Sequence, residues 1–110
     1  MNRRDKQRLE AAGWKVGSAA TFLGLTSQEA ALVEMKLALA EHLRRRRSAS
    51  GWTQSQLAKR LGTSQSRVAK MEAADSSVSI DLYVRSLLSA GATRRELGRI
   101  IAASAGKHAA

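Results

Sequence analysis

Apolar positions recur along this chain at helical spacing, and they are cut into segments by a glycine followed two residues later by serine or threonine. Gly24-Leu25-Thr26, Gly51-Trp52-Thr53, Gly62-Thr63-Ser64 and Gly91-Ala92-Thr93 each couple a residue suited to ending a helix to one suited to capping the next. Thr26 with Glu29, Thr53 with Gln56 and Thr93 with Glu96 add capping-box spacing, in which the long side chain returns to the backbone N–H of the cap. Trp52 with Leu57 and Ala92 with Leu97 stand at hydrophobic-staple spacing. The chain has no proline, so no helix interior is interrupted. Val78-Ser79-Ile80 is the one strand-like alternation, and it runs into a helical pattern. The pattern predicts helices over 3–12, 18–24, 27–48, 54–61, 65–73, 80–90 and 94–104. It describes an all-α fold, with the last five helices forming a domain over 26–104, an N-terminal extension over 1–25 and a flexible tail over 105–110.

The apolar stripes say how these helices pack. Leu32, Val33, Leu37, Leu39, Ala40 and Leu43 make the inner side of the long helix, and Ile80, Tyr83, Val84, Leu87 and Leu88 close the core. Leu97, Ile100 and Ile101 form a last stripe that is either core or a dimer seam, with the seam favoured. The short segments 54–61 and 65–73 are more specific. Ala58 is small enough for a close helix crossing, Gly62 can take the left-handed turn, and Val68 with Met71 forms an inward i, i+3 pair. Two short helices are thereby held at a fixed angle, and Gln65, Ser66, Arg67, Ala69, Lys70 and Ala73 face outward.

Composition narrows what such a pair can do. With 110 residues there is room for one modest core, and 20 alanines thin it further, which favours a partner surface such as a second copy of the chain. The absence of cysteine removes disulfides, thiolate metal sites and nucleophilic thiols. No apolar run is long enough to span a membrane, and the basic N-terminus lacks the apolar segment of an export signal, so a cytoplasmic protein is expected.

The net charge is +10, and its distribution is informative: no acid lies between Glu41 and Glu72, whereas Arg44 to Arg47, Lys59, Arg60, Arg67 and Lys70 all fall there. Cations around a helix pair point to a polyanion, because each neutralised phosphate releases condensed counterions. A solvated basic face or a patch for anionic lipid is the plainer alternative, and coincidence with the helix pair argues against it.

The segment TQSQLAKRLGTSQSRVAKMEA resembles the helix-turn-helix of Xre-type regulators, the lambda repressor and Cro-like family, over about residues 30–90. GWKVGSAATFLGLTSQEAALVEMKLALAEHL before it and SVSIDLYVRSLLSAGATRREL after it look like HigA-type antitoxins of toxin–antitoxin pairs. The resemblance implies a five-helix lambda-repressor-like domain, cytoplasmic double-stranded DNA binding and a homodimer on a palindromic operator. It further implies a toxin protein as a second partner, and a glutamine pair, here Gln54 and Gln65, that braces the recognition helix.

Helix geometry assigns the remaining roles. Gln54 opens the first helix of the pair, where unpaired backbone donors favour a phosphate. Gln65 can bond adenine twice, Arg67 can fork onto guanine, Ser66 and Lys70 share that face, and Ala69 can meet a thymine methyl. Thr53, Ser55, Ser64, Lys59, Arg44, Arg46 and Arg47 complete the expected phosphate contacts, although Arg44 to Arg47 encircle a helix end and cannot all face one duplex. Glu72 is expected to form an exposed, weak pair with one of these arginines.

Catalysis finds little support. His42 and His108 neighbour no nucleophile or ligand-spaced partner, there is no glycine-rich phosphate loop, and no metal, cofactor or small-molecule substrate is expected. A sequence-independent architectural DNA-binding protein and a stand-alone Xre regulator without a toxin remain as alternatives. Trp14, Val16, Phe22 and Leu23 of the extension either dock on the long helix or, with the 97–101 stripe, form a toxin or subunit interface.

Overall fold

The computed structural model describes the backbone of residues 24–108 and the side chains of residues 24–104. Over them the chain forms α1 (Ser27–Ala49), α2 (Gln54–Leu61), α3 (Gln65–Glu72), α4 (Ile80–Ser89) and α5 (Arg94–His108), with no strand among the described residues. The helices expected at 3–12 and 18–24, and the apolar group of Trp14, Val16, Phe22 and Leu23, lie outside the described residues.

Each helix begins at a hydroxyl. The Thr26 hydroxyl accepts the Glu29 N–H at 3.1 Å while the Glu29 carboxylate accepts the Thr26 N–H at 2.9 Å. That backbone donor holds the Glu29 carboxyl below its ordinary range. Ser64 and Ser79 cap α3 and α4 through the N–H groups of Arg67 and Leu82. At Thr93 only half of the expected box forms. The Glu96 N–H donates to the Thr93 hydroxyl at 3.1 Å, whereas the Glu96 carboxylate lies 3.5 Å from that hydroxyl and 3.5 Å from the Arg46 guanidinium. A full positive charge competes well against one neutral backbone donor. The backbone of α5 also stays helical past residue 104 to His108, into the segment expected to be tail.

α1 is the central support, packed against α5, α4 and α3, while α2 rests on α3 and α4. The core joins Leu39 and Leu43 of α1 to Leu57, Val68, Met71, Val78, Tyr83 and Leu87. Three expectations fail here. Leu97 and Ile100 are buried and Ile101 packs half-buried beside them, so this stripe is the core of one chain and not a seam between two. Leu32 and Leu37 are 41% and 37% exposed: Leu32 lies on the inner stripe but ahead of Leu39, where the cluster's α1 members begin, and Leu37 lies one heptad before exposed Arg44. Leu88 is 43% exposed, and Ser86 takes the buried place on α4.

α3 ends without a glycine. Ala74 stands at φ 56°, a left-handed conformation that costs a residue with a Cβ about 1–2 kcal/mol. It is held there by the Asp75 N–H donating to the Lys70 carbonyl at 3.0 Å and by buried Val78 anchoring the loop. Ala74→Gly is expected to raise stability by about 0.5–1 kcal/mol, read as a higher thermal midpoint. Beside this loop the buried Tyr83 hydroxyl donates to the Met71 carbonyl at 2.7 Å, tying α4 to the end of α3. Burial, with a smaller contribution from Asp75, pushes the Tyr83 phenol up to about 12. The unfolded phenol ionises near pH 10, so this contribution is complete below about pH 10 and is lost as pH rises toward 12. The wild-type protein is expected to lose on the order of 2 kcal/mol across that window in denaturant titrations. Tyr83→Phe should lack that component.

Candidate nucleic-acid interface

The α2–α3 pair is set by local bonds at three points. Thr53 and Gln56 exchange both capping bonds at the start of α2, at 3.1 and 2.8 Å. At its end Gly62 takes φ 70°, and the N–H groups of Gly62 and Thr63 close back onto the carbonyls of Lys59 and Ala58 at 3.2 and 2.9 Å. A Cβ at Gly62 would meet nothing within 4 Å, so the backbone conformation alone asks for glycine. Ser64 then caps α3. Leu57 and Ala58 of α2 bury against Val68 and Met71 of α3, which fixes the rotation of both helices.

That rotation leaves Gln65, Ser66, Arg67 and Lys70 exposed along α3, with Ala69 half-buried beside them. Thr53, Ser55, Ser64 and Lys59 are exposed on the adjoining ends and on α2. The Ser64 and Ser66 hydroxyls lie 3.2 Å apart, so one bonds the other. The Gln65 amide nitrogen donates to the Gln54 carbonyl oxygen at 2.7 Å, joining the two helix starts.

The four arginines at the end of α1 separate into different tasks. Arg47 points inward: its Nε and second terminal nitrogen bond both oxygens of Glu72 at 2.5 and 3.0 Å, and its other terminal nitrogen donates to the Trp52 carbonyl at 2.9 Å. The Glu72 side chain is 5% exposed and that of Arg47 18%, so this is a largely buried clamp, not the exposed pair expected. Hydrogen bonding to Glu72 holds the Arg47 guanidinium even more firmly protonated than usual. Arg46 reaches Glu96 at the start of α5, with its Nε buried. Arg45 pairs with Glu41 one turn back at 2.8 Å. Arg44 is exposed and lines an open groove of about 340 Å³ with Leu37, Ala73 and Ala74, at the C-terminal end of α3. The phosphate contacts expected of Arg46 and Arg47 are therefore corrected. Both side chains are engaged by carboxylates of their own chain, and only Arg44 of the three expected there stands exposed beside α3.

Two features escaped the sequence. The Arg60 guanidinium stacks over the Trp52 ring at 4.4 Å from its centroid, so this cation also braces the start of α2. The lone acid Glu72 reads from charge alone as a surface residue, yet it sits four residues after Val68 on the inward stripe, and that spacing signals its inward position. Because Arg47 neutralises Glu72, the outward side of α3 keeps Arg67 and Lys70 without an opposing acid on the same helix.

Two comparisons are silent: no curated protein and no solved structure matches the chain significantly. The family model described as a helix-turn-helix domain matches residues 38–99. That segment runs from the middle of α1 into α5 and contains the whole α2–α3 pair. Since the match covers more than half of its length, the chain belongs to the helix-turn-helix domain family.

Proposed function

We propose that this chain is a cytoplasmic, sequence-specific DNA-binding repressor of the Xre type that acts as a homodimer on a palindromic operator. The observation that carries the reading is the exposed row Gln65, Ser66, Arg67 and Lys70 on a helix whose opposite side is locked by Val68 and Met71. α3 enters the major groove by its N-terminal turn, and Gln65 and Arg67 address base edges. The flanking phosphates are held by Thr53, Ser55, Ser64, Lys59 and Arg44 together with the backbone N–H of Gln54, whose side chain is engaged by Glu72 and Gln65. A dimer sets two such helices about 34 Å apart on one side of the duplex, and occupancy of the operator blocks polymerase. The biological setting is that of an antitoxin, which rests on the HigA-like flanking segments alone.

A footprint over the DNA just upstream of the coding region tests this reading. Two protected half-sites about one helical turn apart are expected. Arg44→Gln should lower the slope of log affinity against log salt by about one, and Arg46→Gln should leave it unchanged. Equal affinity for every sequence would replace the repressor with an architectural DNA-binding protein. For the antitoxin setting, coexpression with the adjacent reading frame should rescue growth from a small toxic protein. Rescue should persist when Gln65 and Arg67 are both alanine.

A further inference from the structure

We propose that Glu72 is a specificity-setting residue, whose carboxylate, clamped by Arg47, dictates through Gln54 which way round the Gln65 amide is presented to DNA. The inference rests on the reading of α3 as the base-reading helix, but its chemistry is internal to the chain.

Glu72 closes α3 and Gln65 opens it, and a continuous line of bonds joins them outside the helix. Arg47 donates to both Glu72 oxygens, and the Glu72 Oε1 atom also accepts the Gln54 Nε2 group at 3.1 Å. The Gln54 Oε1 atom in turn accepts the Gln65 Nε2 group at 2.7 Å. A glutamine amide is nearly symmetric in shape and can sit either way round, so its orientation follows its partners. A carboxylate is an acceptor only. With the Glu72 charge held by Arg47, Gln54 must turn its nitrogen toward Glu72, which turns its oxygen toward Gln65. Gln65 must then turn its nitrogen inward.

One N–H of Gln65 is used in this way, and its remaining N–H and its carbonyl oxygen stay available on the exposed side. One donor beside one acceptor matches adenine, which offers the N7 acceptor and the N6 donor. The reversed amide would offer donors where guanine presents the N7 and O6 acceptors. A buried ion pair thus acts as a polarity reference for a base contact made at the other end of the same helix. Lone glutamines on a surface have no such reference.

The first test needs no DNA. In the isotopically labelled full chain, a through-hydrogen-bond coupling is expected from Gln65 Nε2 to the Gln54 side-chain carbonyl carbon. A coupling in the reverse sense, or none, overturns the relay. The second test reads base preference. The base pair addressed by Gln65 is located as the one whose preference disappears in Gln65→Ala. In Glu72→Gln, the new amide keeps its oxygen for Arg47 and can offer an N–H to Gln54, releasing the fixed order. The adenine-over-guanine preference at that pair should fall about tenfold. The preference addressed by Arg67 and the affinity for random DNA should stay as they were. Should Glu72→Gln fail to fold, Gln54→Met interrupts the same line with the Arg47–Glu72 clamp intact, and the same loss at that pair is expected. An unchanged preference in a folded variant defeats the proposal. If the wild-type chain discriminates no bases at all, the base-reading function fails, and the coupling measurement still decides the relay.

Discussion

Arg67→Ala is expected to weaken binding to the operator by about 1–3 kcal/mol and to relax the preference at a single base pair. The side chain stands exposed on the first turn of α3, while its backbone N–H is bonded to the Ser64 cap. Truncation therefore removes a planar fork of donors without disturbing the helix start. Competition binding against a set of singly substituted operators separates the outcomes. Loss concentrated at one position identifies a base contact, and equal loss on every sequence would assign Arg67 to the phosphates. The thermal midpoint should barely move, because surface substitutions away from caps and cores stay within about 0.5 kcal/mol.

The same replacement at Arg47 should act in the opposite way. Arg47→Ala leaves the Glu72 carboxylate, 5% exposed, without its charged partner and strips a donor from the Trp52 carbonyl. Removing one member of a buried pair costs about 3–5 kcal/mol; the lower end, about 3 kcal/mol, applies here because Arg47 keeps some contact with water. In a domain of this size that lowers the thermal midpoint by roughly 10 °C or more. Arg44→Ala, three residues away on the same helix and exposed, is the matched control and should stay near wild type. Replacing Arg47 and Glu72 together by Met and Leu removes the clamp without stranding a charge, and should recover much of the stability. A fall after Arg47→Ala no larger than after Arg44→Ala would mean that the clamp contributes nothing to the fold.

Much of this domain could be read from local pattern. Every expected helix among the described residues is present, and the bounds of α2 at Gln54 and Leu61 coincide with those expected. Caps succeed because a hydroxyl and an N–H three residues apart meet in any helix start, whatever surrounds it. The glycine of the turn was legible for the same reason: φ 70° at Gly62 is a property of one residue. Ala74 was not legible, because its left-handed backbone is imposed by bonds and packing from its neighbours and not invited by its side chain.

By itself the sequence determined the five helices, the turn between α2 and α3, and which residues share the outward side of α3. Those are consequences of interactions within a few residues and of the 3.6-residue period. Only the tertiary structure decided what the arginines do. Successive residues turn by about 100° around a helix, so Arg44 to Arg47 look alike in sequence yet face an open groove, Glu41, Glu96 and Glu72. Burial likewise depends on what lies opposite. α5 lies against α1 and takes Leu97 and Ile100 into the core, whereas Leu32 and Leu37, equally apolar, are left exposed.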